Sequence, residues 1–178
     1  SDVSQKMVNR ASKIQRERRS TINFIKEDAT KLSFPSNVYD GVIFGFNGLM
    51  QIPHRENRKK AMNECFRVLQ PGGRFVFTSH DRGIPRWKKF WVNERKKWRI
   101  GLQDKALIEF GDRYGETPTG RLFIHVPDRS DIQKDLRDTG FLLERDVMRS
   151  KVSDESKLVK DFSDECRFWV ARKPESSG

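Results

Sequence analysis

The residues best suited to chemistry lie just after the apolar run Phe75-Val76-Phe77, and in the basic, aromatic segment that follows it. His80 and Asp81 come soon after that run. An imidazole at the end of a buried strand can accept a proton from a hydroxyl or amine near neutral pH. The competing reading of His80 is a solvated histidine at a strand end. Arg86 to Arg99 holds seven positive residues and one negative, with Trp87, Trp91 and Trp98 at i, i+4 and i+11 and Phe90 beside them. That spacing puts the three indoles on one helical face. Three uses fit: an aromatic lid over a small-molecule pocket, a helix whose cations meet RNA phosphates while its rings stack on bases, or an amphipathic helix docked on the core with its lysines in water. His125 closes the short run Arg121–His125 and is a second candidate for touching substrate. His54, after Ile52-Pro53, reads as a helix-entry residue. The sequence has no CxxC and no Cys/His cluster, so no metal site is expected.

These residues need a scaffold, and the apolar pattern supplies one. Val3, Met7, Ala11 and Ile14 form a stripe that predicts a helix of about four turns, with Ser4 as its cap. Ile22–Ile25 reads as a short β-run, and Val42-Ile43-Phe44 as a strand covered on both faces. Asn57–Gln70 predicts a helix with Ala61, Met62, Cys65, Phe66, Val68 and Leu69 inward, stopped by Pro71-Gly72-Gly73. Strand, helix and strand in this order predict a right-handed parallel crossover. The strand ends near Gly45 and Thr78 then share the edge where ligands bind in open α/β sheets. Further on, the pattern predicts helix over Pro85–Phe110, a loop over Gly111–Gly120 and a strand at Arg121–His125. It then predicts a helix over Asp128–Asp138, capped by Ser130 or Asp128 and stopped by Gly140, and strands over Phe141–Met148 and Glu165–Ala171 around a charged loop at Ser153–Asp161. One domain over 1–172 is expected, with 82–127 as a substrate or lid insertion and a disordered tail over 173–178.

The length suits a single domain with a sizeable core. Net charge is +11 and the isoelectric point is near 9.9. That bias favours anionic partners such as nucleic acid or phosphorylated metabolites, and it also fits a merely solvated lysine surface. Cys65 and Cys166 read as small core hydrophobes, which implies a reducing, cytoplasmic setting. No apolar run approaches the roughly 18 residues of a membrane span, and no membrane partner is expected.

From Glu27 to His80 the punctuation has a familiar order: Glu27-Asp28-Ala29, then Tyr39-Asp40-Gly41-Val42-Ile43-Phe44-Gly45-Phe46, then Arg67-Val68-Leu69-Gln70-Pro71-Gly72-Gly73-Arg74-Phe75-Val76-Phe77-Thr78. It resembles the second half of the cofactor domain of class I S-adenosylmethionine-dependent methyltransferases. The resemblance implies a Rossmann-like, mostly parallel sheet with helices on both faces and one antiparallel strand near the C-terminal edge. It implies S-adenosylmethionine as cofactor. Asp2 then takes the place of the acid that meets the ribose hydroxyls, Val3 packs on the adenine, and Asp28 and Ala29 receive the adenine amino group. Gly45, Phe46 and Asn47 follow the strand that meets the methionine end. Methyl transfer from a sulfonium mainly requires donor and acceptor to be held in line.

The family's first strand, its Gly-x-Gly loop and the next helix should precede Asp2, and no such stretch is in this sequence. The chain is therefore expected to be an N-terminally truncated methyltransferase that scarcely binds cofactor and does not turn over. Unpaired sheet edges would invite self-association, unless another segment or chain fills the gap. For the parent protein the expectation is methyl transfer to an unidentified small molecule, with His80 as catalytic candidate and Trp87, Trp91 and His125 as substrate contacts. An RNA methyltransferase using the basic helix, and a non-catalytic interaction domain, stand as alternatives.

Overall fold

The computed structural model describes residues 1–117, 120–162 and 164–175. Its elements in chain order are α1 (Gln5–Glu17), β1 (Tyr39–Phe44), α2 (Arg55–Val68), β2 (Leu69–Ser79), α3 (Lys88–Arg99), β3 (Asp112–Thr117), β4 (Gly120–His125), α4 (Arg129–Thr139), β5 (Leu142–Met148), α5 (Lys157–Phe162) and β6 (Arg167–Arg172). Ser4 caps α1, its hydroxyl accepting from the Met7 amide at 3.3 Å. The predicted stripe does not bury: Val8 is the buried residue, while Met7 and Ile14 are exposed. Ile22–Ile25 forms no strand. Around it the chain makes only isolated bridges, Asp2 with Lys26 and Asp28 with Lys31. Ile22 and Ile25 are exposed, so the packing that selects a β-branched run as a strand is missing.

The principal sheet has the order β1-β2-β6-β5. β1 pairs with β2 in parallel, from Gly41 opposite Arg74 to Phe44 opposite Phe77. β6 lies antiparallel to β2 on one side and to β5 on the other. Three strands therefore run one way and β6 alone is reversed, which is the Rossmann-like α/β arrangement with its antiparallel strand near the C-terminal edge. α2 ends at Val68, not Gln70, because Leu69 is fully buried and already extended, paired with Tyr39. β2 includes Pro71-Gly72-Gly73 as an irregularity, its pairing with β1 passing from Leu69 opposite Tyr39 to Arg74 opposite Gly41. Gly72 has φ +80, a value that suits glycine.

The core lies on one face of this sheet. Phe75, Phe77, Trp169 and Ala171 point at Ala61, Met62 and Cys65 of α2 and at Ile132 and Leu136 of α4. Phe75 stacks on Phe77 and on Phe141, and Phe77 stacks on Trp169. The Trp169 indole N–H donates to the Ser79 hydroxyl at 2.9 Å, so its polar edge is satisfied inside the core. Burial pushes the Cys65 thiol up to about 12, and it behaves as a small hydrophobe. Among the described residues the packing is one-sided. Val42 and Phe44 reach the core, whereas Ile43 is 80% exposed. The expected cover of β1 on both faces is thus found on one, since side chains alternate across a strand.

Three other expectations change. Helix over Pro85–Phe110 is confined to α3, preceded by a 3-10 turn at Pro85–Trp87 and closed before Gly101, whose φ is +71. The stretch read as a loop contains β3, which pairs with β4 as an antiparallel hairpin from Asp112–His125 to Thr117–Gly120. Residues 118 and 119 of that stretch lie outside the described residues. The charged loop holds the short α5. α4 stands as expected, with Asp128 and Asp131 forming a capping box and Gly140 left-handed at its end. The tail is ordered at Lys173, whose ammonium donates to Asn37 Oδ1 and to the Phe66 and Leu69 carbonyls. Residues 176–178 lie outside the described residues.

One tie holds the Asp28 loop against α2. Arg67 donates to the Phe34 and Leu32 carbonyls and to Glu64, and Glu64 in turn accepts the Leu32 amide at 2.7 Å. The Arg67 guanidinium keeps the Glu64 carboxyl below the ordinary glutamate value. Glu64→Gln should therefore lower the urea midpoint at pH 7, with the gap to wild type closing as pH falls below 4.5 and through the depressed native value. A gap that stays constant down to acid pH contradicts the tie. In the core, Trp169→Ala should cost about 3–5 kcal/mol in urea unfolding, and a loss below about 1 kcal/mol contradicts the packing described.

Candidate functional site

β1 and β2 end side by side, and the backbone leaving β1 turns sharply. Phe46 and Asn47 are both left-handed, with φ 54 and 55. Asparagine tolerates that region, but phenylalanine rarely occupies it. Phe46 is also 95% exposed, so the turn is held by its neighbours and not by packing of its own ring. Gly48 follows because a Cβ there would meet the Phe44 ring at 2.9 Å. The Asn47 amide donates to Thr78 Oγ1 at 2.9 Å, tying the turn to the end of β2.

His80 joins the same constellation. Its Nδ1 lies 3.2 Å from the Glu165 carbonyl, which only accepts, and its Nε2 lies 3.2 Å from Asn47 Nδ2. The consistent arrangement is a proton on Nδ1 donated to Glu165, with Nε2 accepting from the Asn47 amide. Both ring nitrogens are thus engaged. Asn47 Oδ1 is buried and has no hydrogen-bond partner. A buried, unpaired acceptor is costly, and it marks a place where a ligand donor would be favoured.

Next to His80 the chain enters a charged clamp. Asp81 accepts the Gly83 amide at 2.7 Å with one oxygen and Arg167 with the other. Arg167 also reaches Asp146 at 2.7 Å, and Arg129 binds both oxygens of Asp146 at 2.9 Å. Asp81 and Asp146 are both buried side chains, so their charges require these cations. Above the clamp opens a cleft of about 890 Å³ whose lining includes Ile84, Pro85, Arg129, Met148, Glu165 and Arg167.

The other sequence candidates fall elsewhere. His125 is buried, and its Nδ1 lies 2.8 Å from Asp112 Oδ1. It lines a separate cavity of about 350 Å³ with Arg55, Arg58 and Glu109. Glu109, Asp112 and His125 bring ligand-type atoms within 4.8 Å of one another. Their carboxylates are already spent: Glu109 accepts from the Arg55 amide and from Arg58, and Asp112 from His125 and the Ile108 and Glu109 amides. The cluster is a closed buttress beneath the hairpin. Trp91 and Trp98 face inward, edge-on to Phe110 at 5.8 and 6.1 Å, and Trp91 is not part of the cleft lining. Trp87 follows the lining residue Arg86 but is not itself part of the cleft lining, and the Arg86 guanidinium lies 4.9 Å from its ring centre.

Asp2 and Asp28 sit on the bridges ahead of the sheet. Asp2 Oδ1 accepts the Ser4 amide at 2.7 Å, beside Val3, which is exposed. Asp28 Oδ1 takes both the amide and the hydroxyl of Thr30, and those bonds hold its carboxyl below the ordinary aspartate value. Its second oxygen accepts no side-chain or turn hydrogen bond among the described residues, which leaves it unspent for a ligand donor. Ala29 packs against the core cluster and fixes that loop. Thr78 stands at the strand end where the sequence put it, while Glu165 and Arg167 are site residues that the sequence pattern did not single out, since Arg167 and Asp81 are 86 residues apart.

Residues 1–77 match the family described as methyltransferase domain. The ubiquinone/menaquinone biosynthesis C-methyltransferase UbiE of Ectopseudomonas mendocina is 35% identical over 121 residues, covering 67% of this chain and 44% of that protein. The chain spans less than half the length of the curated relatives it matches. Among solved structures, an S-adenosylmethionine-dependent methyltransferase of Methanosarcina mazei superposes with a TM-score of 0.74 at 17% identity, over 98% of this chain and 81% of that one. The [4+2]-cyclase SpnF superposes at 0.65 and 19% identity, over 98% and 65%. The last case shows that this fold also carries other reactions. Residues 1–77 thus match part of a methyltransferase domain, and the strand order of the chain is that of the S-adenosylmethionine-dependent methyltransferase fold.

Proposed function

We propose that this chain carries the adenine and acceptor side of a methyl-transfer site for S-adenosylmethionine, and that the acceptor is a small molecule held in the 890 Å³ cleft. The observation that carries this reading is the junction of the two parallel strand ends. There Asn47, tied to Thr78 and His80, leaves a buried carbonyl oxygen without a partner, next to residues that floor the cleft. When bound, the cofactor supplies a methyl group already activated by a sulfonium. Asp28 offers an ionised oxygen to an exocyclic amino group, and Asp2 offers one to hydroxyls. Asn47, oriented by His80, offers its carbonyl to a polar hydrogen. Ile84, Pro85 and Met148 supply apolar wall around an acceptor, while Arg129 and Arg167 are occupied by Asp146 and Asp81. The name of the UbiE relative, with its quinone-pathway chemistry, supports an acceptor of low molecular weight.

In this reading His80 is a positioning residue: its proton sits on Nδ1 and its Nε2 is capped by the Asn47 amide. Calorimetric titration of the parent protein with S-adenosylhomocysteine tests the assignment. Asp28→Ala should weaken binding by about 1–3 kcal/mol, and Asn47→Ala by a similar amount. His80→Ala should weaken it less, and His80→Gln should restore part of the loss through an amide that can still hold Asn47. Unchanged affinity in both Asp2→Ala and Asp28→Ala rejects the register. A protein that ignores the cofactor yet keeps its fold leaves the interaction-domain alternative in its place.

A further inference from the structure

α3 turns its aromatic face inward, and the face left outside has a definite character. Trp91, Trp98 and Phe90 are half-buried, and Glu94 is buried in contact with Lys97 and Arg113. The outer face carries Lys88, Lys89, Lys96 and Arg99, all exposed and without an ion-pair partner among the described residues. Among those cations stand Val92 and, just past the helix end, Ile100 and Leu102, which are 48%, 68% and 69% exposed. At 100° per residue Lys88, Val92, Lys96 and Arg99 fall within one quadrant of the helix, with Lys89 beside them. α3's single acid, Glu94, lies on the opposite side. The outer face of α3 is thus cationic around Val92, continues into exposed Ile100 and Leu102, and carries no carboxylate of α3 itself.

We propose that this outer face of α3 docks on the surface of an anionic phospholipid bilayer. Aliphatic side chains ringed by lysine and arginine are what an interfacial helix needs: the apolar groups enter the acyl boundary while the cations meet lipid phosphates. The competing occupant of a basic surface is single-stranded RNA, which relies on exposed rings to stack its bases. Here Trp91 and Trp98 are turned to Phe110, Trp87 is 36% exposed with the Arg86 guanidinium over its ring, and the exposed apolar groups of the outer face are aliphatic. The lack of a long apolar run, which argued against a membrane partner, bears only on crossing a bilayer. No described helix is long and apolar enough to cross one. Surface docking needs a few aliphatic side chains on one exposed face, and the fold alone reveals which those are. α3 starts directly after Pro85 and Arg86, which line the cleft, so docking would bring the cleft mouth towards the lipid. The inference stands whether or not the methyl-transfer reading holds, because its readout is binding to lipid.

Flotation of the chain with vesicles on a density gradient tests it, since self-associated protein sinks. Vesicles of phosphatidylcholine with phosphatidylglycerol should carry the chain upward at low salt, and pure phosphatidylcholine should not. Combined replacement of Lys88, Lys89, Lys96 and Arg99 by glutamine should lower partitioning at least about 100-fold, at roughly fivefold per cation. Val92→Ser, Ile100→Ser and Leu102→Ser together should lower it about tenfold or more with the charges intact. Both sets lie on the solvent face, and an unchanged circular dichroism melt shows the fold is kept. Absence of flotation with the anionic vesicles overturns the proposal. So does an aliphatic variant that floats like wild type, or an oligoribonucleotide that binds with unchanged affinity in that variant while displacing the vesicles.

Discussion

Arg167 is the constraint on which the site depends. Its guanidinium lies between Asp81, just past β2, and Asp146, inside β5, while the residue itself begins β6. Two buried carboxylates so placed call for a cation between them, and Arg129 adds a second on the outer side. This charge pattern makes sense of the reversed strand. Because β6 runs against its neighbours, its first residue reaches the edge where β2 and β5 finish, and Arg167 can close all three. Replacing Arg167 with an apolar residue would leave two buried negative charges facing each other. The cleft floor, the His80–Glu165 contact and the turn at Pro85 would lose their common anchor.

The interior and the site are linked through β2. Its inward residues, Phe75 and Phe77, form the stack that ends at Trp169, and its last residue, Ser79, accepts the indole hydrogen. The next two residues, His80 and Asp81, belong to the site. Packing in the core therefore fixes the axial position of the side chains that meet Asn47 and Arg167. The left-handed pair Phe46 and Asn47 is tolerated because Thr78 and His80 hold it from the β2 side. Backbone outliers of this kind cost about 1–3 kcal/mol and persist where neighbours over-determine them.

Short-range pattern made much of this legible. The β1-α2-β2 crossover, the α4 capping box with its Gly140 stop, and β4, β5 and β6 all follow from spacing that a window of residues contains. The motif order from Glu27 to His80 located the edge where Asn47 and His80 meet. What escaped depends on burial and on distant partners. Ile43 has the same β-branched character as Val42, yet one faces the core side and the other is 80% exposed. The β3 strand was hidden in glycine-rich, polar sequence and is held by its pairing with β4. His125 looked available for substrate, but Asp112 takes its Nδ1. Trp91 and Trp98 do share one face of α3, which tertiary packing turns inward, whereas Trp87 falls in the 3-10 turn ahead of the helix and is exposed.

The central claim is that the ends of β1 and β2, with the Asp28 loop, form one side of a cofactor site. Amide chemical shifts of the chain, recorded while S-adenosylhomocysteine is raised to millimolar concentration, test this even where binding is weak. The account predicts that the moving resonances cluster at Asp28–Thr30, at Gly45–Asn47 and at His80, and that they stay still in the Glu109–Asp112–His125 buttress. Shifts confined to the buttress or to α3, or a spectrum that does not respond while the fold is intact, would contradict it.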